Sequence, residues 1–499
     1  MESRIQEHGI FNSNFKGNGI HIKPLDAICE KIDNSLDARK RNTDTSNLDD
    51  VTIQKYSSDK LVYVDNIGMT REDFKNYGNI YRSSNNKDNG IGKHGLGGKV
   101  ADFQLCGCQG KVIHISNKDG FRYQLWDFDN MLDQYDSGDN HLLTNNIIDS
   151  PEFNTLNELI NHLENVDDTL YANDIKTIVS PFFDIGPHTV TIYINNDQDK
   201  FNDIWKEIEE KHNKKELGIT YNPLLREESH SHNNEESLRI IFKSPNRSDE
   251  VFKYDPLHVN DLCRIFGNIS DGKIIHNGKK LYEEKVLPVY TDYNGNYYID
   301  YSPIKKDTTN PKKERNPLPL DKKYYKLDKN KSKIVAVDNL PQLDNTNPST
   351  YIKFKASCLW ALQNLNIDKS KQYSGFHIYK QGRRPGQPFY PKGMRSNENG
   401  GFRFSIEIDD TNLDKLYEPG INKNKIKPST SLQNMSKAFY NIFRWQFPTT
   451  EKEFITNNEQ DDQTNNEQDD QTNNEQTNNG QTNNEQDDQT NNEQDDQTN

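Results

Sequence analysis

The residues with the clearest capacity for chemistry lie in AICEKIDNSLDA, 27–38, and in GIGKHGLGGK, 90–99. Glu30, Asn34 and Asp37 recur at i, i+4 and i+7, so on a helix they form one polar stripe. Leu25, Ile28, Ile32 and Leu36 fall roughly opposite, as in a helix packed on a core. A solvated helix face has the same spacing, so the stripe alone assigns no activity. In the second stretch Gly92, Gly95 and Gly97 are spaced GxxGxG, and Lys99 follows. Glycines let the backbone approach a polyphosphate with its N–H groups aimed at it, and a helix beginning there adds its dipole. Gly-rich turns are common, so this run is weak evidence when taken singly. Between the two, VDNIGM at 64–69 ends a strand-like run in Asp65 before a glycine turn. An Asp in that setting is more often a turn or capping residue.

These side chains need elements to hold them. Pro24 sits where a helix can begin, and the polar loop RKRNTDTSNLDD ends that helix. VTIQKY and KLVYVD predict two strands, and residues 70–80 a helix. Residues 83–98 form a Gly-rich loop, after which helix returns, then the strands KVIHIS and FRYQLW. The Asp/Asn-rich segment 127–175 predicts an insertion with one helix. HTVTIYI, 188–194, predicts a strand that Thr189 enters, and 200–215 a helix of alternating charge. A boundary is placed near 240. Beyond it SLRIIFK, KIIHNGKKLY, YYIDYS, TYIKFKA, GFHIYKQG and FRFSIEI are strand-like, and a helix lies near 430–446.

Taken in order, EKIDNSLDA, DNIGM and GIGKHGLGGK resemble the N box and two Gly boxes of the GHKL ATPase superfamily, and RSSNNK is similar to the lead into the last. That superfamily contains gyrase B, the ninety-kilodalton heat-shock chaperones, histidine kinases and MutL. Further on, SGFHIYKQGR, 374–383, resembles the GFYIYRNGR strand and turn of the second domain in MutL and microrchidia (MORC) proteins. LYEPGINKNKI, 416–426, is similar to a microrchidia segment bearing an Asn-Lys pair. The resemblance covers roughly residues 20–110 strongly and 240–450 weakly.

The resemblance implies an α+β protein. A Bergerat-type α/β sandwich, a mixed sheet covered by helices on one face, would occupy 24–240 with 127–175 inserted. An arm of 1–23 would precede it, and an S5-like α/β domain at 241–455 would follow. The implied ligands are ATP and Mg²⁺. Asn34 would be the one protein ligand to the metal, and Glu30 would orient and deprotonate the attacking water. Asp65 would accept from the adenine amino group, with Gly68 in its turn and Met69 against the ring. Gly92, Gly95, Leu96, Gly97 and Lys99 would hold the phosphates. Asp37 completes the nucleotide-binding set on the helix, and Thr189 would bond near the adenine. Lys423, or else Lys425, would reach back from the second domain to the γ-phosphate. The first Gly box departs from the usual D-x-G-x-G by one missing residue. The 25 residues before the N-box helix leave no room for the phosphoacceptor hairpin of a histidine kinase.

The resemblance also implies an ATP-dependent homodimer whose N-terminal arm crosses to the second subunit. The leading function is an ATP-gated clamp on DNA or chromatin. A chaperone-like protein-remodelling ATPase and a nucleotide-gated scaffold with little turnover are the alternatives. Duplex DNA is a possible partner through Lys305, Lys306, Lys312, Lys313, Arg315, Lys322, Lys323, Arg383 and Arg384. The stretch 303–335 holds eleven Lys/Arg against four Asp/Glu.

Composition bounds the rest. The net charge is −15, but residues 456–499 contain five Glu and eight Asp with no Lys or Arg, leaving −2 for residues 1–455. That tail repeats TNNEQDDQ without an aliphatic or aromatic residue, which predicts disorder. Five cysteines without zinc-ligand spacing fit a reducing compartment. No apolar run approaches membrane-spanning length and no signal peptide opens the chain, so an intracellular site (cytoplasm, nucleus or viral factory) is expected. The richness in Asn, Lys, Asp and Ile looks like AT-rich coding, as in some large DNA viruses and protists.

Overall fold

The computed structural model describes Phe15 and residues 22–41, 49–78, 97–137, 146–228, 238–304, 322–328, 334–362, 373–380, 382–384, 386–391, 401–419 and 426–446. Gly92, Gly95, Leu96, Lys423 and Lys425 lie outside the described residues, as do most of the basic stretch, nearly all of the N-terminal arm and the tail 456–499.

The chain enters through α1 (Pro24–Arg41), β1 (Asp49–Lys55), β2 (Lys60–Asp65), α2 (Arg71–Gly78) and α3 (Gly97–Leu105). Pro24 is the first residue of α1, where its missing N–H costs no helical bond. Asp26 in the first turn and Arg39, Lys40 and Arg41 in the last suit the helix dipole. Those three cations, expected in the loop, therefore complete the helix. Then come β3 (Lys111–Ser116), β4 (Arg122–Asp127), α4 (Phe128–Ser137), β5 (Ile147–Asp149), α5 (Leu156–Val166), α6 (Ala172–Phe183) and β6 (Thr189–Ile194). Helices α7 (Gln198–Glu209) and α8 (Lys211–Thr220) replace the single helix expected at 200–215. Strands β7 (Leu238–Ser244) and β8 (Arg247–Glu250) follow.

These eight strands form one mixed sheet in the order β5-β4-β3-β6-β2-β1-β7-β8. The β1–β7 pair is parallel and the others are antiparallel. Since β7 pairs with β1, the first sheet continues past the expected boundary at 240. Alternation along β2 sends Leu61 and Tyr63 to one face and Val62 and Val64 to the other. The first face packs against Ile28 and Ile32 of α1, Val100 and Phe103 of α3, Phe201 and Trp205 of α7 and Leu217 of α8. The second packs against Leu159 and Leu163 of α5 and Ile175 and Val179 of α6. Both faces are thus covered. The polar composition of 127–175 masked this, because its polar residues cap helices as well as face water. Thr155 and Glu158, for example, form a capping box at the start of α5. Phe15, in the arm, is buried against Phe103 and Phe128 of its own chain.

The second sheet follows α9 (Val259–Phe266). It comprises β9 (Lys273–His276), β10 (Lys279–Thr291), β11 (Tyr297–Asp300), β12 (Tyr324–Leu327), β13 (Ile334–Val337), β14 (Thr350–Cys358), β15 (Phe376–Lys380) and β16 (Phe402–Ile408). Their order is β13-β12-β11-β10-β14-β16-β15, with β9 on β10 and β15 parallel to β16. The last helix, α10 (Thr430–Gln446), lays Leu432, Met435, Phe439 and Phe443 on the inner face among Leu287, Phe354 and Phe404. Among the described residues no helix is long and apolar enough to cross a membrane.

Candidate active site

Helices α1 and α3 pack against each other, and their contact brings the polar stripe to the end of the Gly run. A Cβ added at Gly97 would run into the Glu30 carboxylate. One added at Gly98 would lie 2.5 Å from Asn34 Nδ2 and 3.2 Å from Tyr77 Oη. Only glycine allows the first turn of α3 to come this near to Glu30 and Asn34. Glu30 and Asp37 are buried and Asn34 is partly exposed. The polar stripe therefore lies beneath a helix start, where unsatisfied N–H groups and the dipole favour an anion. Lys99, two residues in, is buried with its ammonium 5.2 Å from the centroid of the Tyr77 ring. Burial pushes its pKa down to about 8 against the pull of Asp102.

Asp102 fastens this corner to the sheet. Its Oδ1 accepts from Lys31 Nζ at 2.9 Å and from the Tyr193 hydroxyl at 2.8 Å. Its Oδ2 accepts from the Tyr77 hydroxyl and lies 3.0 Å from His114 Nε2. Burial opposes the Asp102 charge, but Lys31 and His114 outweigh it and hold the carboxyl well below the usual carboxylate range. Burial also lowers the His114 pKa. Sequence reading missed this group. Its members run from Lys31 to Tyr193, far apart in the chain, and only the neighbouring motif residues were visible.

The far end of the site is built by three adjacent strands. Asp65 on β2 pairs in register with Thr189 on β6, and Thr189 pairs with Ser116 on β3. Partners across an antiparallel pair point the same way, so these three side chains share the face beneath α1. Asp65 Oδ1 accepts from the N–H groups of Ile67 at 3.1 Å and Gly68 at 3.3 Å. Gly68 takes a positive φ of 75° and passes close to Lys118, while the Met69 N–H donates to Ser116 Oγ at 2.9 Å. The one-residue-shorter box thus closes as a tight Asp-anchored turn. Burial raises the Asp65 pKa despite the two N–H groups that favour its charge. Thr189 Oγ1 is buried and has no hydrogen-bond partner among the described residues. A buried hydroxyl of this kind, beside a carboxylate, is a place for a ligand's polar atom.

The residues present fit a nucleotide and its metal. An orphaned hydroxyl and a carboxylate lie at one end, and bare glycine backbone at a helix start lies at the other. Asn34 offers an amide, the single protein ligand that a Mg²⁺ retaining several waters needs.

Arg383 and Arg384, considered above for DNA, are instead buried. Arg383 Nη1 is 2.5 Å from Asp33 Oδ2 in α1, and Arg384 Nη2 is 2.5 Å from Glu216 Oε2 in α8. Charge alone could not distinguish a solvated cation from one paired inside the protein. Lys322, by contrast, lies at the surface and pairs with Asp338 at 2.6 Å.

No curated protein matches the chain. Among solved structures, the N-terminal domain of a DNA repair protein is similar at 12% identity and a TM-score of 0.37, covering 89% of this chain and 98% of its own. Residues 22–148 match the family described as histidine kinase-, DNA gyrase B-, and HSP90-like ATPase, and over that span the chain carries a GHKL-type ATPase domain.

Proposed function

We propose that this chain binds ATP with Mg²⁺ between α1, α3 and the Asp65–Thr189 end of the sheet, and hydrolyses its γ-phosphate. The family match over 22–148 supports ATP binding and hydrolysis in general. The observation that carries the residue-level reading is the contact of Glu30 and Asn34 with the Gly97–Gly98 backbone at the start of α3. Asp65 and the unpartnered Thr189 hydroxyl take the adenine edge, with Met69 against the ring. The first N–H groups of α3 and the Lys99 ammonium face the phosphates, continuing the grip of Gly92, Gly95 and Leu96. Asn34 holds the metal, which when bound neutralises charge on the phosphate oxygens. Glu30 accepts the proton of the attacking water. Asp37 buttresses the stripe one turn further on, and Lys423 contributes from the second region.

The larger action is a dimeric, ATP-gated clamp on DNA that turns over slowly, since the site waits on domain movement. What supports this part is the junction between the two sheets, through which nucleotide state can change the second sheet's position. The test is a pair of variants. Glu30→Ala retains ATP binding and loses turnover, whereas Asn34→Ala weakens Mg²⁺-dependent binding. Normal hydrolysis by Glu30→Ala removes the assignment of the base.

A further inference from the structure

We propose that Arg383, in the turn after β15, is a positioning residue for ATP hydrolysis. Through its buried pair with Asp33 it fixes the rotation of α1, and with it the aim of Glu30. The inference rests on the ATP-hydrolysing reading above and adds a residue from outside the matched span.

The geometry is specific. At about 100° per residue, Asp33 lies roughly 60° around α1 from Glu30, on the side away from Asn34. One face of the helix thus holds Glu30 and Asn34 toward α3, and the adjoining face offers Asp33 to the second sheet. Both Asp33 oxygens are engaged: Oδ1 accepts from the Tyr221 hydroxyl at 3.0 Å, and Oδ2 lies 2.5 Å from Arg383 Nη1. The same Tyr221 hydroxyl is 3.0 Å from the Cys29 carbonyl, so it grips α1 at two points beside Glu30. The Asp33 and Arg383 side chains are 0% and 3% exposed, which excludes the screening that weakens surface pairs. Burial opposes the Arg383 charge, but Asp33 and the nearby Tyr221, Cys29 and Glu30 more than offset it and raise the Arg383 pKa.

The turn carrying Arg383 is itself held. Lys380 and Arg383 exchange backbone hydrogen bonds at 2.7 and 2.9 Å, and a Cβ at Gly382 would lie 2.6 Å from a Leu224 methyl. Next to it, the Arg384 N–H donates to the Thr220 carbonyl at 2.7 Å, and the Tyr379 hydroxyl to that of Ile219 at 3.2 Å. Lys380 points the other way, to Asp414 at 2.7 Å, in the short 3-10 helix Thr411–Leu416. Three cations of KQGRR therefore pair with acids on three different elements. Arg383 is the one that reaches the helix carrying the water-activating carboxylate. A buried pair holds α1 firmly because removing one partner strands the other charge.

The experiment is steady-state ATP hydrolysis and equilibrium ATP binding by the full chain, for wild type, Arg383→Met, Arg383→Lys, Asp33→Asn and the Asp33→Asn/Arg383→Met double variant. Thermal melts accompany each. Misplacing a catalytic group costs about 10–100-fold, so kcat of Arg383→Met falls by that factor while ATP affinity stays within about twofold. Arg383→Lys recovers part of the loss, and the double variant is no slower than the slower single variant. An unchanged kcat overturns the inference, and so does an equal fall in ATP affinity and melting temperature, which marks a purely structural pair. If wild type itself hydrolyses no ATP, the ATPase reading fails and takes this inference with it. An active wild type with indifferent variants defeats the inference alone.

Discussion

Asp65 and Thr189 stand opposite one another on β2 and β6, the first with two backbone N–H groups on one oxygen, the second with a buried hydroxyl that no group among the described residues satisfies. Asp65→Asn keeps the Oδ1 acceptor for Ile67 and Gly68, so the turn survives while the charge proposed to meet the adenine is lost. Hydrogen bonds to charged groups contribute about 1.5–3 kcal/mol, so ATP and ADP affinity should both fall by roughly 10–100-fold. Thr189→Val, nearly the same shape, should cost less. Calorimetric titration measures both, and unchanged affinity in Asp65→Asn rules out adenine recognition there.

Asp102 is the hub between α1, α3 and the sheet. Asp102→Asn leaves the Lys31 ammonium buried without its counter-charge, a change that costs about 3–5 kcal/mol in comparable pairs. Chemical denaturation should report a loss of that order. Because the folded-state pKa of Asp102 is depressed, its stabilisation is fully present above the unfolded carboxyl's pKa of 3.8. It is lost as pH falls through the lower folded value. Wild-type stability should therefore drop in acid more steeply than that of Asp102→Asn.

Asp49 is the opposite case. The residue is 1% exposed, neither carboxyl oxygen has a hydrogen-bond partner among the described residues, and burial, reinforced by Asp65, raises its pKa well above 3.8. A raised carboxyl pKa means that stability is lost as pH climbs from the unfolded value toward the folded one. Asp49→Asn removes that penalty and should stabilise the protein at pH 7 by about 1–3 kcal/mol. A destabilised Asp49→Asn contradicts the buried, unpaired placement.

In the proposed site, Lys99 should set a pH limit on nucleotide binding. With its pKa pushed down to about 8, the free site is charged at pH 7 and loses that charge at higher pH. ATP affinity should decline between pH 7 and 9.5 in wild type. Lys99→Arg, whose guanidinium stays protonated, should flatten the profile. The profile is read from ATP titrations at constant ionic strength. A flat wild-type profile contradicts a phosphate-facing Lys99.

Periodicity made much of this legible. The stripe Glu30–Asn34–Asp37 and the strands at 60–65, 111–116 and 189–194 follow from local spacing, which the fold preserves. What stayed hidden depends on contacts far apart in the chain. Asp33 sits inside the N box, yet nothing local marks it as the partner of a residue 350 positions later. Arg383 and Arg384 resemble surface cations until Asp33 and Glu216 appear beside them. Asp102 and His114 read as ordinary helix and strand residues, because their network closes only when α3 meets the sheet. The polar segment 127–175 concealed Leu159, Leu163 and Ile175, which cover the second face of the sheet.

The measurement that bears most directly on the central claim is Mg²⁺-dependent ATP hydrolysis by the purified chain, followed over a range of protein concentrations with and without duplex DNA. Turnover that is abolished by Glu30→Ala, rises per molecule with concentration and rises again with DNA is the predicted result. Absence of turnover under all of these conditions, with or without ATP binding, contradicts an ATP-hydrolysing site built on Glu30 and Asn34.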